Sequence, residues 1–334
     1  MMNPKHLICA VACVAAFSAQ AADSLNLGSY SVSATYALDI LNGTSGGISG
    51  LEASAVTYAR DRGTLFFVGD EGTGVVEISL TGQTLGSMAF NWSGTGSTKH
   101  DTEGLTYLGN GQLVVTEERL FDAYSFAYVA GGSANLAASS VSISNATVGN
   151  SGLEGISYDQ RDGSFVVIKQ ENPEDIQAGK LTFSAGSAGT TGTSTMANLF
   201  DPTLLGVSTL SDVQTLSSVD SFAGTAAADH LLVLSLGSRK LLEVDRAGNI
   251  ISSFDLSGVL ANNAIEGVTV DEKGTIYLVA EQLQDSFAVG VTNPQSQLIV
   301  LTAPVPEPET YAMLLAGLGL VGAVVRRRRK PHQN

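Results

Sequence analysis

Cysteine is nearly missing from this 334-residue chain, and both copies, Cys9 and Cys13, stand in the first 15 residues. If that segment is removed on export, the mature chain has no thiol. Disulfide staples, zinc–thiolate sites and cysteine nucleophiles are then excluded. Tryptophan occurs once, and aromatic residues make up 7%. Basic residues are scarce as well: 17 Lys and Arg stand against 32 Asp and Glu. Lys5 and residues 326–330 hold six of the basic residues, and Glu307 and Glu309 hold two of the acidic ones. The middle therefore keeps 11 basic and 30 acidic residues, a net charge of −19. Such a surface repels nucleic acid, whose binders need basic patches. It suits divalent cations or a basic partner. No Walker loop and no His-Glu-x-x-His motif occurs. His100 stands beside Asp101 and reads as an incidental loop histidine rather than a base.

Glycine, by contrast, is abundant at 37 copies. Hydrophobic residues make up 44% and charged ones 15%, so a packed globule is expected. High glycine in such a chain suits many short strands joined by tight turns.

The two ends read as addresses. Lys5 precedes an apolar run over 7–17, followed by Ala19-Gln20-Ala21. A basic start, an apolar core and an Ala-x-Ala site make a secretory signal over 1–21, cleaved after Ala21. At the other end, Pro306-Glu307-Pro308 precedes an apolar run over 311–325 and then four arginines and a lysine over 326–330. Fifteen residues span about 22 Å as a helix, short of a bilayer core of about 30 Å. Arginines after the run would stay cytoplasmic. The segment 304–334 resembles the PEP-CTERM sorting signal. That resemblance implies export through the Sec translocon, a transient stay in the inner membrane through the 311–325 helix, and processing by an exosortase. It also implies a Gram-negative, exopolysaccharide-producing cell and a final place at the surface or outside it.

Between the ends, 22–303, one pattern recurs five times. Its copies include Asp101-Thr102-Glu103-Gly104-Leu105, Gly152-Leu153-Glu154-Gly155-Ile156 and Ala264-Ile265-Glu266-Gly267-Val268. Taking Asp212-Val213-Gln214 as the fourth copy gives a column of Ser54, Glu103, Glu154, Gln214 and Glu266, spaced by 49, 51, 60 and 52 residues. After each start comes an alternating strand, a turn such as Asp162-Gly163, and a strongly apolar strand such as Phe165-Val166-Val167-Ile168. The turn glycines supply positive φ. Four antiparallel strands every ~50 residues make a propeller blade. The fold expected is therefore all-β, a five-bladed β-propeller, with a six-bladed, NHL-like ring as the alternative. The last copy ends at Leu301 without an outermost strand, and residues 30–38 are expected to supply it. The Gly/Ser/Thr-rich stretch 184–194 reads as a surface insertion.

Glu103-Gly104-Leu105-Thr106-Tyr107-Leu108-Gly109-Asn110-Gly111, with Thr116-Glu117-Glu118-Arg119, resembles the SdiA-regulated family. So does Gly63-Thr64-Leu65-Phe66-Phe67-Val68-Gly69-Asp70-Glu71. The likeness runs from about 48 to 301. It implies a five-bladed calcium-binding propeller distantly akin to NHL-repeat propellers, and no particular activity. Gln214 in the glutamate column and Leu236 in the column of Asp70, Glu118, Gln170 and Glu281 depart from the pattern.

The residues themselves point the same way. The innermost strand of each blade lines the axis, so a residue repeating once per blade forms a ring. Glu103, Glu154, Glu266 and the neutral donor Gln214 would aim several oxygens at one place. Close carboxylates raise one another's pKa unless a cation sits among them. Calcium takes 6–8 oxygens at roughly 2.3–2.6 Å with loose geometry. Asp70, Glu118 and Glu281 form a second column of candidate ligands. The alternative is that each Glu only caps amides between blades. Two functions are expected. One is a calcium-binding surface or matrix module that presents loops to an exopolysaccharide or surface protein. The other is a calcium-dependent hydrolase of a phosphoester or lactone, with Arg119 as its anion-binding cation.

Overall fold

The structure is a computed structural model that describes residues 23–39, 41, 48–49, 52–144, 149–186, 192–281, 295–304 and 317–319. The signal and its cleavage at Ala21 lie outside the described residues, as do Pro306, Glu307 and Pro308 and the tail 326–330. Of the expected helix 311–325, only 317–319 are described, and they are helical. No helix among the described residues is long and apolar enough to cross a membrane.

Five antiparallel sheets surround one axis. Blade 1 comprises Ala53–Ala59, Thr64–Gly69, Gly74–Ile78 and Thr84–Asn91, with Ser133–Asn135 added in parallel at its edge. Blade 2 comprises Thr102–Gly109, Gln112–Glu117, Asp122–Ala127 and Ser140–Ser142. Blade 3 comprises Leu153–Asp159, Ser164–Lys169, Asp175–Gly179 and the short Ala197–Asn198. Blade 4 comprises Leu210–Thr215, Leu231–Ser235, Lys240–Val244 and Ile250–Asp255. Blade 5 comprises Ile265–Val270, Ile276–Ala280, Gln297–Thr302 and, from the other end of the chain, Ser31–Ala37. The ring thus closes as expected, with Ser31 opposite Thr302 and Ala37 opposite Gln297. No sixth blade forms among the described residues. The long third interval is spent on a side hairpin, Leu181–Thr182 against Thr193–Ser194, before the chain returns to finish blade 3.

A blade buries both faces, so its middle strands are apolar throughout. Leu65, Phe66, Phe67 and Val68 are all buried, as are Leu231, Leu232, Val233 and Leu234. These residues form five apolar clusters, one at each seam between neighbouring blades. The seam of blades 4 and 5 also takes in Leu25, Leu27 and Tyr30 from the N-terminal segment. There the buried Glu243 accepts from the Leu25 amide and from Ser252 Oγ, and pairs with His230 Nδ1 at 2.9 Å.

A second tie runs around the axis. Thr57 Oγ1 accepts from the Tyr107 amide, Thr106 Oγ1 from Tyr158, and Ser157 Oγ from Thr215. Thr269 Oγ1 donates to Gln214 Oε1 and accepts from the Tyr58 amide, which completes the circle. At this end of the axis the open space is about 20 Å³, room for about one water.

Candidate metal centre

At the opposite end of the axis the innermost strands begin, and each carries a β-bulge. The register slips between Thr102 and Gly104, Leu153 and Gly155, and Ile265 and Gly267. The bulged residues are therefore Glu103, Glu154 and Glu266. A bulge leaves one residue out of the ladder and re-aims its side chain. The glycine that follows lets the next blade come close. A Cβ on Gly155 would lie 2.6 Å from Asp212 Oδ1 and 2.8 Å from its Cα. One on Gly267 would lie 2.9 Å from Ala55 Cα. The Glu-Gly pair thus does two jobs: glycine brings the strands together, and glutamate points into the space they enclose.

That space is a cavity of about 230 Å³. Asp70, Asp101, Glu103, Glu118, Glu154, Glu266 and Glu281 line it, with Gln170, Asn150 and Arg119. Both columns read from the sequence meet here in blades 2, 3 and 5; blade 1 contributes Asp70 but not Ser54, whose hydroxyl donates to Glu52 O. Gln214 is not in the cavity. Its amide donates to Thr215 O at 2.9 Å, and its carbonyl belongs to the hydroxyl ring at the far end of the axis. The bulge of blade 4 falls between Leu210 and Asp212, so Ser211 holds the glutamate place. The sequence alignment of that blade was three residues out. Asp212 stands where blades 2, 3 and 5 have glycine, which hid the match.

Asp212 instead closes a seam. Its carboxylate accepts from the amides of Val213 and, across to blade 5, Val268, both at 2.7 Å. Burial drives its pKa well above the usual carboxylate range, and the two amides oppose that rise. An Asp212→Ala change leaves both buried N–H groups unpaired, each costing about 1–3 kcal/mol. The expected result is a loss of about 2–6 kcal/mol in denaturant unfolding with little change in metal binding.

The cavity is charged beyond what its donors offset. Burial and then the charges of Glu154, Glu266, Asp101 and Asp70 push Glu103 well above its ordinary pKa. Burial and then Glu118 do the same to Glu154, and burial and then Glu281 to Glu266. Burial, reinforced by Glu52, raises Asp70 to about 8. Glu118 rises to about 7 through burial, although the Gly152 amide donates to its Oε1 at 3.0 Å. Asp70 Oδ1 is buried with no hydrogen-bond partner among the described residues. Asp70, Asp101 and Glu103 bring carboxylate oxygens within 4.8 Å of one another, and so do Glu52, Asp70 and Glu71. Two oxygens facing each other across a calcium ion stand about 4.8 Å apart. An all-oxygen, carboxylate-rich donor set with an orphaned buried oxygen fits that hard cation.

Sequence reasoning missed Asp101 and Asn150 as cavity groups, and placed Gln170 in the second column without naming it a ligand. For Asp101 the signal was available, because it stands two residues ahead of Glu103 on an extended chain. Arg119 donates through Nε to Asp101 Oδ2 at 2.6 Å and through Nη2 to Asn150 Oδ1. His100 is elsewhere, stacked on Trp92 with ring centroids 5.0 Å apart and lining a separate groove.

Against known families, residues 31–283 match the SdiA-regulated model. This chain belongs to the SdiA-regulated family. Residues 304–330 match the PEP-CTERM protein-sorting motif, which implies export, anchoring in the membrane and then exosortase processing. Among solved structures, this SdiA-regulated propeller is similar to Myxococcus xanthus glutaminyl cyclase, at 10% identity over 83% of this chain and 97% of that one, TM-score 0.49. It is similar to a luciferin-regenerating enzyme at 10% identity, over 80% and 94%, TM-score 0.45. It is similar to the WD40 β-propeller domain of Doa1 at 11% identity, over 82% and 97%, TM-score 0.44. No activity transfers to the SdiA-regulated chain at these identities.

Proposed function

We propose that this exported propeller binds calcium in its axial cavity and works at the cell surface or in the matrix as a binding or scaffold module. It would present the loops around the cavity to an exopolysaccharide or a surface protein. One observation carries the reading. Glu103, Glu154 and Glu266, from three separate blades, face one cavity together with Asp70, whose buried Oδ1 has no hydrogen-bond partner among the described residues. Inter-blade caps would instead have to point at amides. Asp101, Glu118 and Glu281 complete the oxygen donors. The ion would neutralise the repulsion among them and tie blades 1, 2, 3 and 5.

Calorimetric titration at neutral pH tests this. Calcium is expected to bind and to release protons, because the raised carboxylates hold protons until the metal displaces them. The measured heat then changes with the buffer's ionisation enthalpy. No heat and no proton release would sink the reading.

A second reading, a calcium-dependent hydrolase of a phosphoester or lactone, draws on Arg119 at the cavity. Two partners already engage that guanidinium, Asp101 and Asn150, which favours the first reading.

A further inference from the structure

Strand direction fixes the end at which the chain enters and leaves the propeller. In blade 5, Ile265 pairs with Ala280, and Ala280 pairs with Gln297. These three adjoin Glu266 and Glu281 and mark the cavity end. At the other end, Val270 pairs with Ile276, Ile276 with Leu301, and Ser31 with Thr302. The chain therefore leaves the propeller at Thr302, and enters it at Ser31, at the end away from the cavity. Tyr30 is pinned there, its hydroxyl donating to Gly274 O at 2.7 Å. Both membrane-addressed segments, the leader and the sorting tail, join the fold at the end closed by the hydroxyl ring.

The tether is short. Residues 303–310 reach at most about 28 Å when fully extended. A folded domain of this size is roughly 45 Å across. The tail cannot carry the chain around the rim to the opposite end. The closed end carries Arg60, Arg161 and Arg246, each matched by Asp220, Asp159 or Asp229, and the exposed Lys273, 3.8 Å from Glu272, so its cations are offset locally. The cavity end carries the crowd of carboxylates, which an anionic lipid surface repels.

We infer that, while the sorting tail holds the chain in the inner membrane, the Lys273 end lies against the lipid and the acidic cavity opens away from it. The cavity is thus offered to ligands outside the membrane, not to lipid headgroups. The inference rests on the tail serving as the membrane anchor.

Two single-cysteine chains test it, since the only native cysteines are in the predicted leader. Lys273→Cys marks the closed end. Lys99→Cys, in the exposed loop that leads to Asp101, marks the cavity end. Each chain, residues 22–334 without the leader and with its tail, is labelled with a fluorophore and inserted into phosphatidylcholine/phosphatidylglycerol vesicles containing headgroup spin-labelled lipid. Vesicle flotation confirms anchoring. Quenching at 273 is expected to exceed that at 99 several-fold, and a chain ending at Ala303 is expected to show none at either position. Equal quenching in floated vesicles, stronger quenching at 99, or none at either position would overturn the orientation. Failure to float would overturn the anchoring itself.

Discussion

Chelation is expected to lower the unfolding midpoint of the folded domain by about 5–10 °C, and added calcium to restore it. In a Glu103→Gln/Glu154→Gln chain, neither addition is expected to move the midpoint. An ion that binds only the folded state adds RT ln(1 + [L]/Kd), about 2.7 kcal/mol at a hundredfold excess over Kd. Each kcal/mol moves the midpoint of a domain this size by about 2–4 °C. The unfolded chain has no comparable site, because Glu103, Glu154 and Glu266 are 51 and 112 residues apart in sequence. Their meeting depends on the ring.

The variant carries a second, independent sign. Replacing two mutually repelling acids with neutral amides relieves the metal-free fold, so under chelator the variant is expected to melt at or above the parent. Magnesium is expected to give a smaller rise than calcium at equal concentration. It demands a tight octahedron and keeps its waters, whereas this cavity offers many loosely spaced carboxylates. A calcium-insensitive parent would leave the glutamates as strand-end decoration. A calcium-sensitive variant would move the ion to the neighbouring Glu52, Asp70 and Glu71.

The sequence disclosed the ring because its punctuation is physical. Glu-Gly at the start of blades 2, 3 and 5 marks a bulge and a close strand approach. The turn glycines mark hairpins, and the unpaired stretch 30–38 had only one sheet left to complete. Blade 4 was misread for the same reason. Its glycine place holds Asp212, tolerated because the carboxylate reaches across and caps Val268. Without the glycine, a match on apolar residues alone set Val213 against Leu153, and Gln214 fell into the glutamate column. Its true place, beside Thr57, Thr106, Ser157 and Thr269, belongs to a ring of hydroxyls. Those residues are common everywhere in strands, so they carry no signal until the register is known. The second column was legible because Asp70, Glu118 and Glu281 each follow the most apolar strand of their blade. Convergence of the two columns on one cavity depends on how the bulges aim the side chains, which shows only once the ring is closed.

Metal-free protein is expected to be most stable near pH 5 and to weaken as pH rises toward 8.5, the reverse of the usual behaviour of surface carboxylates. Glu103, Glu118, Glu154, Glu266 and Asp70 have pKa values raised above those of the unfolded chain. The folded state therefore binds more protons than the unfolded one between those values, and stability falls with pH there. The contribution is complete below about pH 4. It is lost as pH climbs through about 7 for Glu118 and about 8 for Asp70. Carboxylates lowered by hydrogen bonds, such as Asp159 and Asp245, act in the other direction. Their contribution is already in place by pH 5, so it does not obscure the window. A loss of 3 kcal/mol would show as a fall of about 10 °C in the midpoint. Asp122, raised to about 6, and Asp212 shift in the same direction outside the cavity. Calcium separates the two sources. It competes with protons only inside the cavity, so saturating calcium should flatten the part of the curve that belongs to the ring and leave the rest. Thermal scans from pH 5 to 8.5, with chelator and with calcium, read this directly. A metal-free midpoint that rises over that range would mean that the cavity acids are ionised without a cation, and that water or Arg119 carries their charge.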